Sequence, residues 1–222
     1  MSSKTRFAHF MAVALISVMV SVFVFPARIY ALEEPNSVLP NLPSFIEAVK
    51  DGNPDTPRGI YVPGVMAYSI VQQPVGNANY VSADAAAVTE FRTASAYGNL
   101  GLLAHNDLAG SAFSQIKAGD TILIVYGDGH VQRFLVKSSE QYQALQPLDP
   151  YGNFQELETG NTLTAVQLFN RVYNGNFHLT LQTCIEKDGN LSWGRLFIIA
   201  VPINGQALNA LRHNRLGLVD IK

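Results

Sequence analysis

The chain of 222 residues holds a single cysteine, Cys184. A lone thiol is usually a small buried hydrophobe, because it donates and accepts hydrogen bonds only weakly. The run around this one points elsewhere. In His178-Leu179-Thr180-Leu181-Gln182-Thr183-Cys184-Ile185-Glu186, the two-residue period of a strand puts Leu179, Leu181, Thr183 and Ile185 on one face. The other face carries His178, Thr180, Gln182, Cys184 and Glu186. The leucines claim the core, so the thiol shares the polar face, where a substrate can reach it. A cysteine there can attack an acyl carbon, given a neighbouring positive charge and a proton partner.

Arg195 supplies the charge. Lys187 to Ser192 is a turn-rich connection. A hairpin symmetric about Gly189 and Asn190 sets Cys184 opposite Arg195, with Cβ atoms ~5 Å apart. Arg195 opens an apolar run, Leu196 to Val201, that reads as buried on both faces. An arginine at a strand end commonly reaches out to solvent. Beside Cys184, its guanidinium would stabilise a thiolate and donate to a carbonyl oxygen that turns anionic during acyl transfer.

Four histidines outside the first segment are candidates for the proton partner: His105, His130, His178 and His213. His130 follows a Gly-Asp-Gly turn and is expected to point to water. His178 shares the parity of Cys184 and is expected at an exposed strand edge. His213 lies in a polar tail. His105 is preferred, because it ends the small apolar stretch Tyr97 to Ala104 and opens a loop, a junction that holds a proton donor on a scaffold. Asn106 and Asp107 could orient it, although polar loop residues are more often solvated. Thr183 is a weaker candidate for oxyanion or substrate positioning, against its plainer reading as a core-facing strand residue.

The elements that must position these groups read as mostly β. Strand-like runs occur at Ile60–Val62, Val65–Val71, Thr121–Tyr126, His130–Val136, Leu179–Ile185 and Leu196–Ile203, with a hairpin at Gly127-Asp128-Gly129. Short helices are expected over Ser111–Lys117 and Thr162–Asn170. Such a pattern suggests a barrel or sandwich. Residues 32–57, rich in proline and charge, read as a linker with one helical turn around Ser44–Lys50. Ahead of them, Lys4 and Arg6 precede the apolar run Phe10–Phe25, so 1–31 is expected to be a cleaved signal peptide or an uncleaved N-terminal membrane anchor. Either way the body is exported. At 48% hydrophobic and 14% charged residues the chain is not disordered, and 15 basic against 17 acidic residues exclude a strongly basic nucleic-acid binder. One cysteine excludes an internal disulfide and a cysteine-rich zinc site.

Residues 178–203 resemble the sortase signature. Thr180-Leu181-Gln182-Thr183-Cys184 matches its Thr-Leu-x-Thr-Cys strand, and Arg195 stands a short loop later at the head of an apolar strand. Leu103-Ala104-His105, followed by Phe113, Ile116 and Gly119-Asp120-Thr121-Ile122, resembles the family's histidine loop. Tyr61-Val62-Pro63-Gly64-Val65 and Gln73-Pro74-Val75 resemble its first two strands. The likeness spans about 58–204, and Lys137–Phe177 carries no matching signature. Papain-like hydrolases place cysteine before histidine, L,D-transpeptidases carry Ser-His-Gly-Cys, and thioredoxins need a second cysteine.

The resemblance implies a closed eight-stranded β-barrel with one or two short helices over 58–204, and a tail over 205–222. It implies an exported cysteine transpeptidase acting at the outer face of the cytoplasmic membrane or as a secreted protein. Cys184 would form a thioester with a sorting-motif protein substrate. His105 would move protons and Arg195 would position the motif. The acyl group would pass to an amine on the cell wall or on another protein. Two other readings stay open: a hydrolase with water as acceptor, and a non-catalytic exported binding module on the same barrel. No cofactor and no nucleic acid are expected, and membrane contact only through the N-terminal segment. The resemblance leaves room for calcium between acidic loops, but Asp107, Asp128, Glu156 and Glu158 show no ligand spacing.

Overall fold

A computed structural model describes residues 39–203. Ten strands form one sheet: β1 (Pro57–Val62), β2 (Met66–Gln72), β3 (Ala87–Glu90), β4 (Leu100–Leu103), β5 (Thr121–Tyr126), β6 (Val131–Ala144), β7 (Phe154–Glu156), β8 (Thr162–Leu163), β9 (Leu179–Lys187) and β10 (Asn190–Pro202). Eight of them close into a barrel in the order β10-β9-β4-β3-β2-β1-β5-β6, with β6 pairing back onto β10. β7 and β8 extend the sheet outward from β6. The β2–β3 and β4–β9 pairs are parallel, and the other pairs antiparallel. Closure leaves the eight barrel strands with no open edge to aggregate through.

Strand alternation fills the interior. Ile60, Val62, Ile122, Ile124, Phe134, Leu179, Leu181 and Ile198 are buried in one cluster, with Phe113 from a 3-10 segment (Ala109–Gln115) plugging it. The outer face of β9, β10 and β6 is also covered. Tyr142, Phe154 and Phe197 pack beneath helix α3 (Ala165–Tyr173), which buries Leu168, Val172 and Tyr173. Each such apolar side chain contributes about 1.5–3 kcal/mol. This is why the Leu196–Val201 run is apolar on both faces. Helix α3 starts at a capping box, Thr164 with Gln167, each accepting from the other's backbone N–H. Arg171 then pins it to β6 and β7, donating to Glu140 at 3.1 Å and to Glu156 at 2.6 Å.

Several expectations change in detail. Residues 39–57, read as linker, carry an eight-residue helix, α1 (Leu42–Val49), capped by the Asn41 side chain. Its Phe45 is buried against Gly59, where a Cβ would come 2.7 Å from the ring, and its ring centroid lies 5.7 Å from that of Tyr61. These residues pack on the barrel, and the compact unit begins at Leu39. The helix expected over Ser111–Lys117 is the 3-10 segment, and the one expected over Thr162–Asn170 is β8 followed by α3. β6 runs on through Ala144, well past Val136. A short helix, α2 (Arg92–Ala96), joins β3 to β4. Among the described residues no helix is long and apolar enough to cross a membrane. The 1–31 segment, residues 32–38, His213 and the 205–222 tail lie outside the described residues.

Candidate active site

β4, β9 and β10 are neighbours: β9 carries Cys184, β10 carries Arg195, and His105 follows the end of β4 by two residues. β4 runs parallel to β9 with Leu103 against Gln182. Two residues further along each chain stand His105 and Cys184. β10 runs antiparallel to β9 with Arg195 directly opposite Cys184. Leu100, Leu102 and Ala104 occupy the interior, so by alternation Leu103 belongs to the outer face, as do Cys184 and Arg195. The result is a row, Cys184 and Arg195 side by side on β9 and β10, with His105 in the loop two residues past the end of β4, the strand on the other side of β9. His105 is exposed, while Cys184 and Arg195 are half-buried. The row continues through paired residues into the scaffold: Tyr142 on β6 and Glu156 on β7.

The hairpin reaches this register by a route other than simple symmetry. Its turn is Asp188-Gly189, both at positive φ (54° and 80°), with Lys187 paired to Asn190. Continued regularly, that pairing would set Cys184 opposite Trp193. A register shift between Asn190 and Gly194 brings Arg195 there instead. Gly194 is required on this path, because a Cβ would lie 2.6 Å from the Tyr142 carbonyl oxygen. The shifted segment also grips the arginine. Arg195 Nη1 donates to the carbonyls of Ser192 (3.1 Å) and Gly194 (2.8 Å). Its guanidinium carbon lies 6.0 Å from the Phe154 ring centroid. Arg195 is therefore a held cation beside the thiol, not a strand end reaching for water.

Thr183 faces inward and is buried. Its hydroxyl donates to the Ala104 carbonyl at 2.9 Å, and Ala104 N–H donates to the Gln182 carbonyl at 3.1 Å. The hydroxyl is thus spent on fixing the end of β4, one residue before His105, and not on an oxyanion. The 3-10 segment closes over the same point. A Cβ on Gly110 would strike the Thr183 hydroxyl and come within 2.7 Å of the His105 carbonyl oxygen. That carbonyl accepts from Leu108 N–H (3.1 Å) and Gly110 N–H (2.9 Å). Asn106, considered as an orienter of the imidazole, instead donates its amide to the Leu191 carbonyl at 3.2 Å, tying the histidine loop to the β9–β10 hairpin. Asp107 is exposed.

The other two described histidines, His130 and His178, are engaged elsewhere. His130 is exposed on the β5–β6 turn, stacked on Tyr126 (4.2 Å between centroids) with Nδ1 2.6 Å from Asp128 Oδ1. His178 corrects the sequence expectation. It is buried, not edge-exposed, because α3 and the loop behind it cover the start of β9. Its Nδ1 lies 2.7 Å from the Asn176 carbonyl oxygen and its Nε2 2.9 Å from that of Val172. Both nitrogens are engaged, so it has none to offer Cys184.

Two clefts flank the row. The first, about 340 Å³, lies on the outer face between α3 and the sheet. Leu103, Gln182 and Arg195 floor it, and Phe154, Phe169 and Tyr173 wall it. Tyr173 donates to Gln182 Oε1 at 2.6 Å, and burial pushes its phenol pKa up, so it stays a neutral donor. The second cleft, about 350 Å³, opens beside the 3-10 segment and is lined by Cys184, Glu186, Asn106, Ser111, Ser114 and Gln141. A larger cavity of about 420 Å³, near Gln73 and Arg92, holds none of the row. The sequence reading passed over Gln182 and Glu186 as site residues, although both share the parity of Cys184. It had no signal for the wall built by α3.

Among the described residues no three His, Cys, Asp or Glu side chains gather as a metal site would need. Of the four acids weighed for calcium, Asp128 engages His130 and Glu156 engages Thr159 and Arg171. Asp107 and Glu158 are exposed. Among the described residues these four acids therefore do not gather into one donor set.

No protein-family model matches the sequence, and no curated protein matches it. Solved structures do. Streptococcus agalactiae sortase C1 is similar at 16% identity and a TM-score of 0.41, over 66% of this chain and 66% of that one. The chain thus spans about two thirds of that protein's length. A Clostridium perfringens sortase D5 transpeptidase is similar at 15% identity and a TM-score of 0.43, over 73% of this chain and 87% of that one. Actinomyces oris sortase C-1 is similar at 13% identity and a TM-score of 0.46, over 75% and 82%. The fold stands on the strand order and the chemistry on the side chains it brings together. The solved structures that share these likenesses are sortases.

Proposed function

We propose that the chain is an exported, sortase-like cysteine transpeptidase. One observation carries the reading: Cys184 and Arg195 are paired directly across β9 and β10, each lining one of two clefts, and β4, which ends two residues before His105, flanks β9 on its other side. Cys184 Sγ attacks a backbone carbonyl of a sorting motif whose acyl side lies in the cleft under α3. The oxyanion forms beside Arg195, whose Nη1 is anchored by Ser192 and Gly194, which leaves Nε and Nη2 for the substrate. The C–N bond breaks as His105 protonates the departing amine, leaving a thioester on Cys184. An incoming amine gives a proton to His105 and attacks the thioester carbonyl. The C–S bond breaks, an amide forms and the thiol is restored. Release of the folded body outside the cell, through the 1–31 segment, belongs to the same proposal. Products from a peptide library, analysed with and without glycinamide, test it. A transpeptidase gives glycinamide-capped products. Hydrolysed products in both arms would make the enzyme a hydrolase, and uncleaved peptides would remove the catalytic reading.

A further inference from the structure

The two clefts flanking the Cys184–Arg195 pair differ in the side chains that line them: Arg195 lines one and Cys184 the other. The one under α3 is aromatic and apolar. The one beside the 3-10 segment is lined by hydroxyls and amides from Ser111, Ser114, Asn106 and Gln141, and by the carboxylate of Glu186. Glu186 shares the strand face of Cys184, two residues on, and the Gly189 N–H holds its Oε1 at 2.8 Å. The turn thus holds the carboxylate, which lines the same cleft as the thiol.

We propose that this polar cleft is the acceptor site, and that Glu186 selects the charge of the amine-bearing molecule that resolves the thioester. The inference rests on the transpeptidase reading and adds the class of acceptor. The acyl part of a substrate fills the apolar cleft, so only the polar side of Cys184 remains open to the second substrate. The reverse of the second half-reaction expels that same amine, so the departing fragment and the acceptor occupy this one cleft in turn. Its walls offer donors and acceptors for a polar group, beside the apolar side chains of Ile185 and Leu196. Glu186 favours an acceptor that carries a cationic or neutral group next to its amine and disfavours one carrying a carboxylate there. In the step itself, a neutral amine nitrogen bonds to the thioester carbon and the C–S pair leaves with sulfur. The proton lost by nitrogen passes through His105 to the thiolate.

The test uses the full chain and a peptide thioester donor with a small uncharged leaving thiol, so the acceptor step is read without a bulky departing fragment. Two acceptors compete for the acyl-enzyme: glycinamide, and glycine with its extra carboxylate. The readout is the glycinamide-to-glycine product ratio in the wild type, in Glu186→Gln and in Glu186→Lys. The basicity difference between the two amines cancels, because the same pair is compared throughout. A solvent-facing charge pair is worth 0.2–1 kcal/mol, so Glu186→Gln lowers the ratio about 1.4- to 5-fold. Glu186→Lys, with twice the change of charge, lowers it about 2- to 30-fold. A merely structural role for Glu186 would slow both acceptors alike and leave the ratio fixed. An unchanged ratio in both variants overturns the acceptor assignment and leaves the transpeptidase reading standing. Failure of the wild type to form any acyl-enzyme overturns that reading itself.

Discussion

Replacing Thr183 with valine separates two roles for a residue one position from the nucleophile. Valine keeps the β-branched shape and the strand preference, and loses only the hydroxyl. In the structure that hydroxyl is buried and donates to the Ala104 carbonyl at 2.9 Å. Removing the donor strands a buried acceptor, which costs about 1–3 kcal/mol. For a folded body of this size, about 2–4 °C of melting temperature accompany each kcal/mol, so the midpoint should fall by about 2–12 °C. Thr183→Ser keeps the donor and loses one methyl, at a cost of about 0.8 kcal/mol. Thermal unfolding of the three forms, alongside the rate of acyl-enzyme formation, is the assay. The valine form should be the least stable, and its acylation slowed modestly because Ala104 carries His105. An oxyanion donor would instead give normal stability with a 10²- to 10³-fold drop in rate, on the order expected for such donors. That pattern, or a valine form as stable as wild type, would refute the reasoning.

Two further outcomes follow from the same geometry. Arg195→Lys should fail nearly as badly as Arg195→Ala while staying folded, because a point charge cannot bridge two carbonyls and still face the substrate; near-normal turnover would remove the arginine from the reaction. The Thr159 hydroxyl, and then Arg171, hold the Glu156 carboxyl below its ordinary value of 4.5. A lowered pKa stabilises the fold above the ordinary value and loses that contribution as pH falls through the lowered one. Wild-type stability should therefore decline below about pH 4.5, and Glu156→Gln should be less stable at neutral pH with a flatter acid limb; parallel curves would contradict this.

The sequence carried the Cys184–Arg195 placement better than its surroundings. Strand parity put Cys184 on the outer face, because the buried leucines beside it admit only one phase. The Cys184–Arg195 pairing emerged from a symmetry that the chain does not follow. The true turn, Asp188-Gly189, is offset by one residue, and the register shift before Gly194 restores the pairing. Such a shift depends on β6 pressing against Gly194, a contact between residues far apart in sequence. His178 misled for a similar reason. Nothing local announces that α3 will fold over β9. The short strands β3, β4, β7 and β8 left little trace, because two to four residues cannot display a period. Thr183 was ambiguous between core and chemistry until Ala104 was seen as its partner.

The most direct test of the central claim is the intact mass of the protein after brief incubation with a sorting-type peptide library and acid quenching. The account predicts a covalent adduct equal to the N-terminal part of a cleaved peptide. The adduct should be labile to hydroxylamine as a thioester, map to Cys184 by peptide digestion and vanish in Cys184→Ala. An adduct that persists in Cys184→Ala, or peptide cleavage that proceeds without Cys184, would contradict it.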